Sequence, residues 1–425
     1  MHLLQYAQKT FTIPLDEQPL TEADLCLLNE LAYLPLDDIA EDHRGFARGI
    51  SAAQIYQEFV TDSTLRSNWF LATNQRLQLL KLVATSPRFA ALRFFDYRAH
   101  LDATEQVQFA ALTLVVPGVF RQVVFRGTDD SLIGWKEDFH LAAQKDIPAQ
   151  LLAVTYLEDN LKQAASTPIY VTGHSKGGHL AVFATSAQPQ ELERRVESVL
   201  AFDAPGFTEA FLKNTGYLRL LPKIRDFMPE DSIVGRLMFR KTQQEVVASG
   251  GIGLMQHSVF FWQVDETGTF KPKDATTSAS ERVAKVTGEW LTRHAPEDIE
   301  KVVDTCFDLA MGEGYGSLLD IGVKVLPFIQ LMRTKTAELE PKTAELVSRL
   351  ADDYVQLWKE QKKAEKQQVK ESRAVPAWLA APPKFPQKIL VQQATKTAVP
   401  LGLQKLLERD AAPAPAETTE KKPGA

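Results

Sequence analysis

Gly173-His174-Ser175-Lys176-Gly177 sets a serine between two glycines in the pattern Gly-x-Ser-x-Gly. A short apolar run, Ile169-Tyr170-Val171, precedes it, and a helix-forming segment from His179 to Ala187 follows. Strand, sharp turn and helix in that order make a nucleophile elbow, with Gly173 and Gly177 leaving room for a strained turn that lifts the serine hydroxyl clear of the backbone. The bland alternative is a glycine-rich strand-to-helix turn whose serine caps the helix.

A serine hydroxyl is a weak nucleophile and needs an adjacent base, itself oriented by a third group. Three histidines follow Ser175: His179, His257 and His294. His179 lies on the elbow helix, which runs away from the serine, and His294 sits in the charged helical stretch Thr292-Arg293-His294-Ala295-Pro296. His257 ends a glycine-rich loop, Gly250 to Gln256, just before the strand-like run Ser258 to Val264, where a base belongs. Two carboxylates compete as the orienting acid. Asp231 follows the strand-like segment ending at Phe227-Met228, and Asp203 follows Ser198-Val199-Leu200-Ala201-Phe202. Asp231 is preferred and Asp203 is the alternative. An oxyanion intermediate needs two preorganised donors. One is the backbone N–H of Lys176, the residue after the nucleophile. The other is Thr128, which follows Val123-Val124-Phe125-Arg126-Gly127 and offers both its N–H and its hydroxyl. Trp135 is a candidate to line or cover the acyl pocket.

These residues need a scaffold. Residues 1–100 read as a helical N-terminal part packed on the core, with Thr21 as N-cap of the segment containing Leu25, Leu27, Leu28 and Leu31, and a second long segment over Arg66 to Ala91. Residues 101–275 alternate strand and helix. Val107 to Val116 reads as a strand, Pro117-Gly118 as a turn, Val119 to Phe125 as the partner strand and Pro148 to Ala164 as a helix. Residues 276–360 are a helical C-terminal addition. Over 361–425 the chain becomes rich in Lys, Glu and Gln and then in Ala and Pro, which reads as a disordered tail. Lys335-Thr336-Ala337-Glu338-Leu339 recurs as Lys342-Thr343-Ala344-Glu345-Leu346, with Pro341 interrupting the two copies.

The chain has 425 residues, 44% hydrophobic and 24% charged, with a formal net charge of −6, which fits a soluble globular protein, and the first 330 residues hold no basic patch with interleaved aromatics, which argues against nucleic acid as a partner. Cys26 and Cys306 are the only cysteines, too few for a disulfide framework or a metal cluster, and read as reduced thiols. No basic and apolar leader opens the chain and no run reaches ~18 uncharged apolar residues, so the expectation is a cytoplasmic chain without a transmembrane segment, with transient contact to a membrane surface still open.

The motifs together resemble the lipase class 3 group of α/β-hydrolases. Phe125-Arg126-Gly127-Thr128 is similar to that group's oxyanion segment, Asp130 to Phe139 to its lid-proximal stretch, and Gly173-His174-Ser175-Lys176-Gly177-Gly178 to its elbow. The run from Gly127 to Asp138, with Leu31-Ala32-Tyr33-Leu34, Asp231 and His257, is closest to a bacterial branch of the group. The resemblance covers about residues 10–270. It implies an α/β-hydrolase fold, a central mostly parallel sheet flanked by helices, and a Ser175-Asp231-His257 triad that cleaves carboxylic esters, lipid esters among them, without a metal or organic cofactor. Lys176 departs from the small or apolar residue often found after the nucleophile. If its side chain faced the substrate it would favour an anionic ester, such as a lysophospholipid or an acyl-thioester. Two other classes remain: a non-catalytic binding protein that keeps the fold, and an acyltransferase or peptidase using the same nucleophile.

Overall fold

The structure is a computed structural model that describes residues 1–62, 72–102, 107–128, 134, 136–137, 140–141, 147–163, 167–251, 253–315, 332 and 334–373. Eight strands form one sheet in strict sequence order: β1 (Ile50–Ser51), β2 (Arg93–Asp102), β3 (Val107–Val116), β4 (Phe120–Phe125), β5 (Ile169–His174), β6 (Val196–Phe202), β7 (Ile224–Pro229) and β8 (Gln244–Val247). Neighbours from β1 to β4 pair antiparallel, and neighbours from β4 to β8 pair parallel. A parallel neighbour can be reached only by a crossover, and helices supply it. Pro148–Gln163 lies between β4 and β5, Lys176–Ser186 between β5 and β6, and Thr215–Leu220 between β6 and β7. This is an α/β-hydrolase fold, as the motifs imply.

The alternation of side chains along each strand builds two cores. Leu112, Leu114, Val124, Leu200 and Phe202 point to one face, beneath the helices Leu3–Thr10, Glu22–Asn29, Ala52–Thr61 and Thr73–Thr85. Phe109, Ala111, Val123, Val199 and Ala201 point to the other, beneath Pro148–Gln163 and the elbow helix Lys176–Ser186. Thr21 caps Glu22–Asn29 as expected: its hydroxyl accepts from Asp24 N–H, and the Asp24 carboxylate accepts from Thr21 N–H. Asp24 is then held by the fully buried Arg88 at 2.6 Å, whose guanidinium also donates to the carbonyls of Ile13, Gln18 and Pro19. One buried cation thus fastens the turn before β2 to the segment that joins the first two helices.

Three local expectations change. Residues 93–102 form β2 rather than helix; a register shift between Phe95 and Arg98 breaks the alternation that would have revealed it. Ser258 to Val264 is not a strand of the sheet but a 3-10 turn, Val259–Phe261, followed by isolated bridges at Trp262 and Val264. Pro341 opens a helix, Pro341–Arg373, instead of interrupting one, because proline fits the first helical turn, where an N–H has no partner. That helix runs twelve residues beyond Gln361, since Lys, Glu and Gln are themselves good helix formers. With Ser278–Arg293 and Pro296–Gly312 it closes a small core of Ile299, Val303 and Leu350. The chain divides into a unit Met1–Gln367 and a unit Gln368–Ala425; residues 374–425 of the expected tail lie outside the described residues. Among the described residues no helix is long and apolar enough to cross a membrane.

Arg88→Ala should lower stability by about 3–5 kcal/mol, since it leaves Asp24 buried without its counter-charge. A urea unfolding curve that does not shift would show that the N-terminal helices hold without this clamp.

Candidate active site

Ser175 stands between β5 and the elbow helix with φ 57° and ψ −133°, a conformation that only a tightly determined backbone holds. Glycines make it sterically possible. A Cβ on Gly177 would strike the Phe125 carbonyl oxygen, and a Cβ on Gly173 would strike the backbone of Gly177. Ser175 N–H donates to Phe202 O at 2.9 Å, tying the elbow to the neighbouring strand. Lys176 is the first helical residue, so its N–H points out of the helix rather than into the hydrogen-bond ladder. A Cβ on Gly127 would approach Ser175 Cβ to 3.1 Å, so the segment carrying Thr128 lies against the serine. The oxyanion candidates Thr128 and Lys176 therefore flank Ser175 from two directions.

His257 ends the short helix Gly253–His257, and its Nδ1–H donates to Asp203 Oδ2 at 2.6 Å. A carboxylate only accepts, so the proton sits on Nδ1 and Nε2 keeps its lone pair as a base. Asp203 is fully buried, and its other oxygen accepts from Ser232 Oγ at 2.5 Å and Gly235 N–H at 3.1 Å. The carboxylate against His257 is thus Asp203, not Asp231. Asp231 accepts from Thr277 Oγ1 at 2.5 Å and donates its N–H to Gln256 Oε1. The reason lies in the register. β5 pairs with β6 so that His174 is level with Phe202, which makes Ser175 and Asp203 the first residues past the ends of adjacent strands. Asp231 lies one strand further out, past β7, and turns towards the N-cap of Ser278–Arg293. The other two histidines are engaged elsewhere. His179 Nδ1 meets Gly206 O and its Nε2 meets Gln150, and His294 meets Asp353.

Sequence reasoning assigned no role to a buried network behind the serine. Tyr33 Oη accepts Gly127 N–H at 2.9 Å and donates to His174 O at 3.1 Å, joining the segment that carries Thr128 to the elbow strand. His174 Nε2–H donates to His257 O at 2.8 Å, and the two imidazoles lie 4.5 Å apart. Burial, reinforced by His257, lowers the His174 pKa to about 3, so the ring is neutral near pH 7. Burial raises the Tyr33 pKa far above its ordinary value, so its hydroxyl keeps its proton. Arg76 covers the Tyr33 ring at 4.4 Å and pairs with buried Glu30. The sequence carried one signal for this, the histidine inside Gly-x-Ser-x-Gly itself.

Lys176 does not face a substrate. Its Nζ is buried and donates to Glu137 Oε2 at 2.6 Å and Gln108 O at 3.0 Å. The substrate-facing reading of this charge does not hold. Trp135 lies outside the described residues.

The elbow on this sheet, with an imidazole held by a buried carboxylate beside it, defines a lipase-like α/β-hydrolase. Residues 83–308 match the Mbeg1-like family, a lipase-class-3-like family, and the chain belongs to it. The chain is similar to the lipase of Rhizomucor miehei in its native propeptide complex, at 16% identity over 53% of this chain and 67% of that one, with a TM-score of 0.32. It is also similar to M37 lipase, at 15% identity over 51% of this chain and 70% of that one, with a TM-score of 0.32. No curated protein is significantly similar to it.

Buried neutral histidines set a pH limit. The folded His174 pKa is about 3 and that of His179 about 4, against 6.5 for an ordinary histidine, with burial the main cause in both. Below pH 6.5 the unfolded chain therefore binds more protons than the folded one. Stability is complete above that pH and falls as pH drops towards 4. At pH 5 each histidine should cost about 2 kcal/mol. Equal urea midpoints at pH 7 and pH 5 would contradict the buried neutral state.

Proposed function

We propose that this protein is a serine hydrolase that cleaves carboxylic esters through Ser175, His257 and Asp203. The observation that carries the reading is the buried Asp203 holding His257 Nδ1 beside an elbow serine of positive φ. Ser175 Oγ attacks the acyl carbonyl while His257 Nε2 takes its proton. The proton then passes to the leaving alkoxide, which departs as the alcohol, and water activated by the same imidazole releases the acid. Asp203 keeps the imidazole in the required tautomer and stabilises the imidazolium. Thr128 and the Lys176 N–H receive the developing oxyanion. Family membership supports a lipase-like reaction, and lipid esters are the substrate class we favour. An anionic head group gains no support from Lys176, whose charge is neutralised by Glu137.

Purified protein should take up a fluorophosphonate probe at Ser175 and hydrolyse p-nitrophenyl esters, and Ser175→Ala and His257→Ala should abolish both in folded protein. Asp203→Asn should lower kcat about 10³–10⁴-fold by removing the tautomer lock, with Asp231→Asn nearly silent. The reverse ranking would return the acid to Asp231, and absence of labelling with or without detergent would favour a binding protein of the same fold.

Tyr33→Phe keeps the ring and removes the acceptor of Gly127 N–H, so it should lower kcat roughly tenfold with little change in KM. A change confined to KM would instead put Tyr33 on the substrate side.

A further inference from the structure

Lys136 is a charge with almost no water. Its side chain is 2% exposed, and its Nζ lies 2.7 Å from Asp308 Oδ1 and 3.0 Å from Asp304 Oδ1. The aspartates stand four residues apart on Pro296–Gly312, so they share one helix face, and they are 37% and 59% exposed. His140 Nε2 meets Asp304 Oδ1 at 2.9 Å, adding a second tie to the same helix.

The neighbours of Lys136 reach the other way. Glu137 Oε2 accepts from Lys176 Nζ at 2.6 Å and from Gln108 N–H at 3.2 Å. Gly134 lies so close to Thr128 that a Cβ there would come within 2.6 Å of Thr128 Cγ2. Gly134 and Glu137 thus touch both residues assigned to the oxyanion hole, while Lys136 and His140 hold the helix Pro296–Gly312.

We propose that Asp304 and Asp308 are positioning residues for the oxyanion hole, acting through Lys136 and His140 on Gly134 and Glu137. The inference rests on the reading of Ser175 as nucleophile. A buried ammonium without counter-charges has to regain water. Without the two aspartates Lys136 is drawn outwards, and without the ammonium the segment loses its tie to the helix; in either case Gly134 and Glu137 are no longer held in place. Thr128 then loses the backbone packed against it, and Lys176 loses the anion that fixes its side chain. Oxyanion donors act only when held at the right distance, so small displacements there act on kcat rather than on substrate binding. The helix Pro296–Gly312 is then a working part of the site although it carries no group that touches the substrate.

The test uses the full chain. Lys136→Met removes the buried charge and leaves the half-exposed aspartates to water, so folding is retained. Its kcat on p-nitrophenyl butyrate should fall at least tenfold with KM within twofold, and Lys136→Arg should recover most of the loss. Hydrogen exchange at the amides of Thr128, Lys176 and Gly177 should be faster in Lys136→Met, and in Asp304→Asn/Asp308→Asn where that variant folds. Unchanged exchange at those amides in folded Lys136→Met overturns the proposal whatever the activity. Faster exchange with unchanged kcat overturns it as well. If wild-type protein neither labels with fluorophosphonate nor turns over any ester, it is the hydrolase reading that fails, and the exchange comparison alone then decides whether the helix is coupled to these amides.

Discussion

The close approach of the elbow helix to the carboxyl ends of β4 and β5 is the constraint from which the site follows. Gly177 sits where any side chain would meet the Phe125 carbonyl, and Gly127 sits where one would meet His174 O and Tyr33 Oη. With those side chains absent, the serine, the oxyanion segment and the first N–H of the helix occupy one small volume. The backbone strain at Ser175, of order 1–3 kcal/mol, is sustained because Ser175 N–H is anchored to β6 and the glycines leave the turn no other low-energy path. The same packing puts the carboxylate that holds His257 just past β6, since the adjacent strand is the one whose end is level with the serine.

Polar groups behind the elbow are kept in fixed protonation states by burial. His174 is neutral, Tyr33 keeps its proton, and each therefore has one defined set of donors and acceptors. A hydrogen bond from Gly127 to Tyr33 and another from His174 to His257 O then tie the Gly127–Thr128 segment and the His257 loop to the elbow. In a medium of low dielectric such bonds are stiff, and leaving any of them unmade is expensive. The N-terminal helices are thus more than a cover for one face of the sheet. Glu30 and Arg76 hold Tyr33, and Arg88 fastens the segment that carries Glu30 and Tyr33.

The elbow and the sheet core were legible because their signals are local, and so was the loop that brings His257 to the elbow. Gly173, Ser175 and Gly177 form a motif, β3 to β6 are short apolar runs, and His257 follows a glycine-rich loop. The carboxylate that meets His257 was not, because Asp203 and Asp231 both follow strands and only the register between β5 and β6 separates them. β2 was missed because its bulge destroys the period of two. Tyr33, Glu137 and Lys136 act through partners 94, 39 and 172 residues away, a separation that no local pattern encodes.

Lys176 shows how such distant pairing changes a chemical conclusion. Read in the sequence, a lysine beside the nucleophile is a positive charge at the site. In the fold its ammonium is turned away from Ser175 and closed against Glu137, and the pair is sealed from water. The elbow helix still has a positive end, because the backbone N–H groups of its first turn point towards the serine. That partial charge is fixed by the helix itself and faces Ser175, where the proposed reaction would develop an oxyanion, whereas a lysine side chain would have been mobile and would have attracted any anion. In the proposed reaction this arrangement would favour charge that appears at the transition state over charge already present on the substrate.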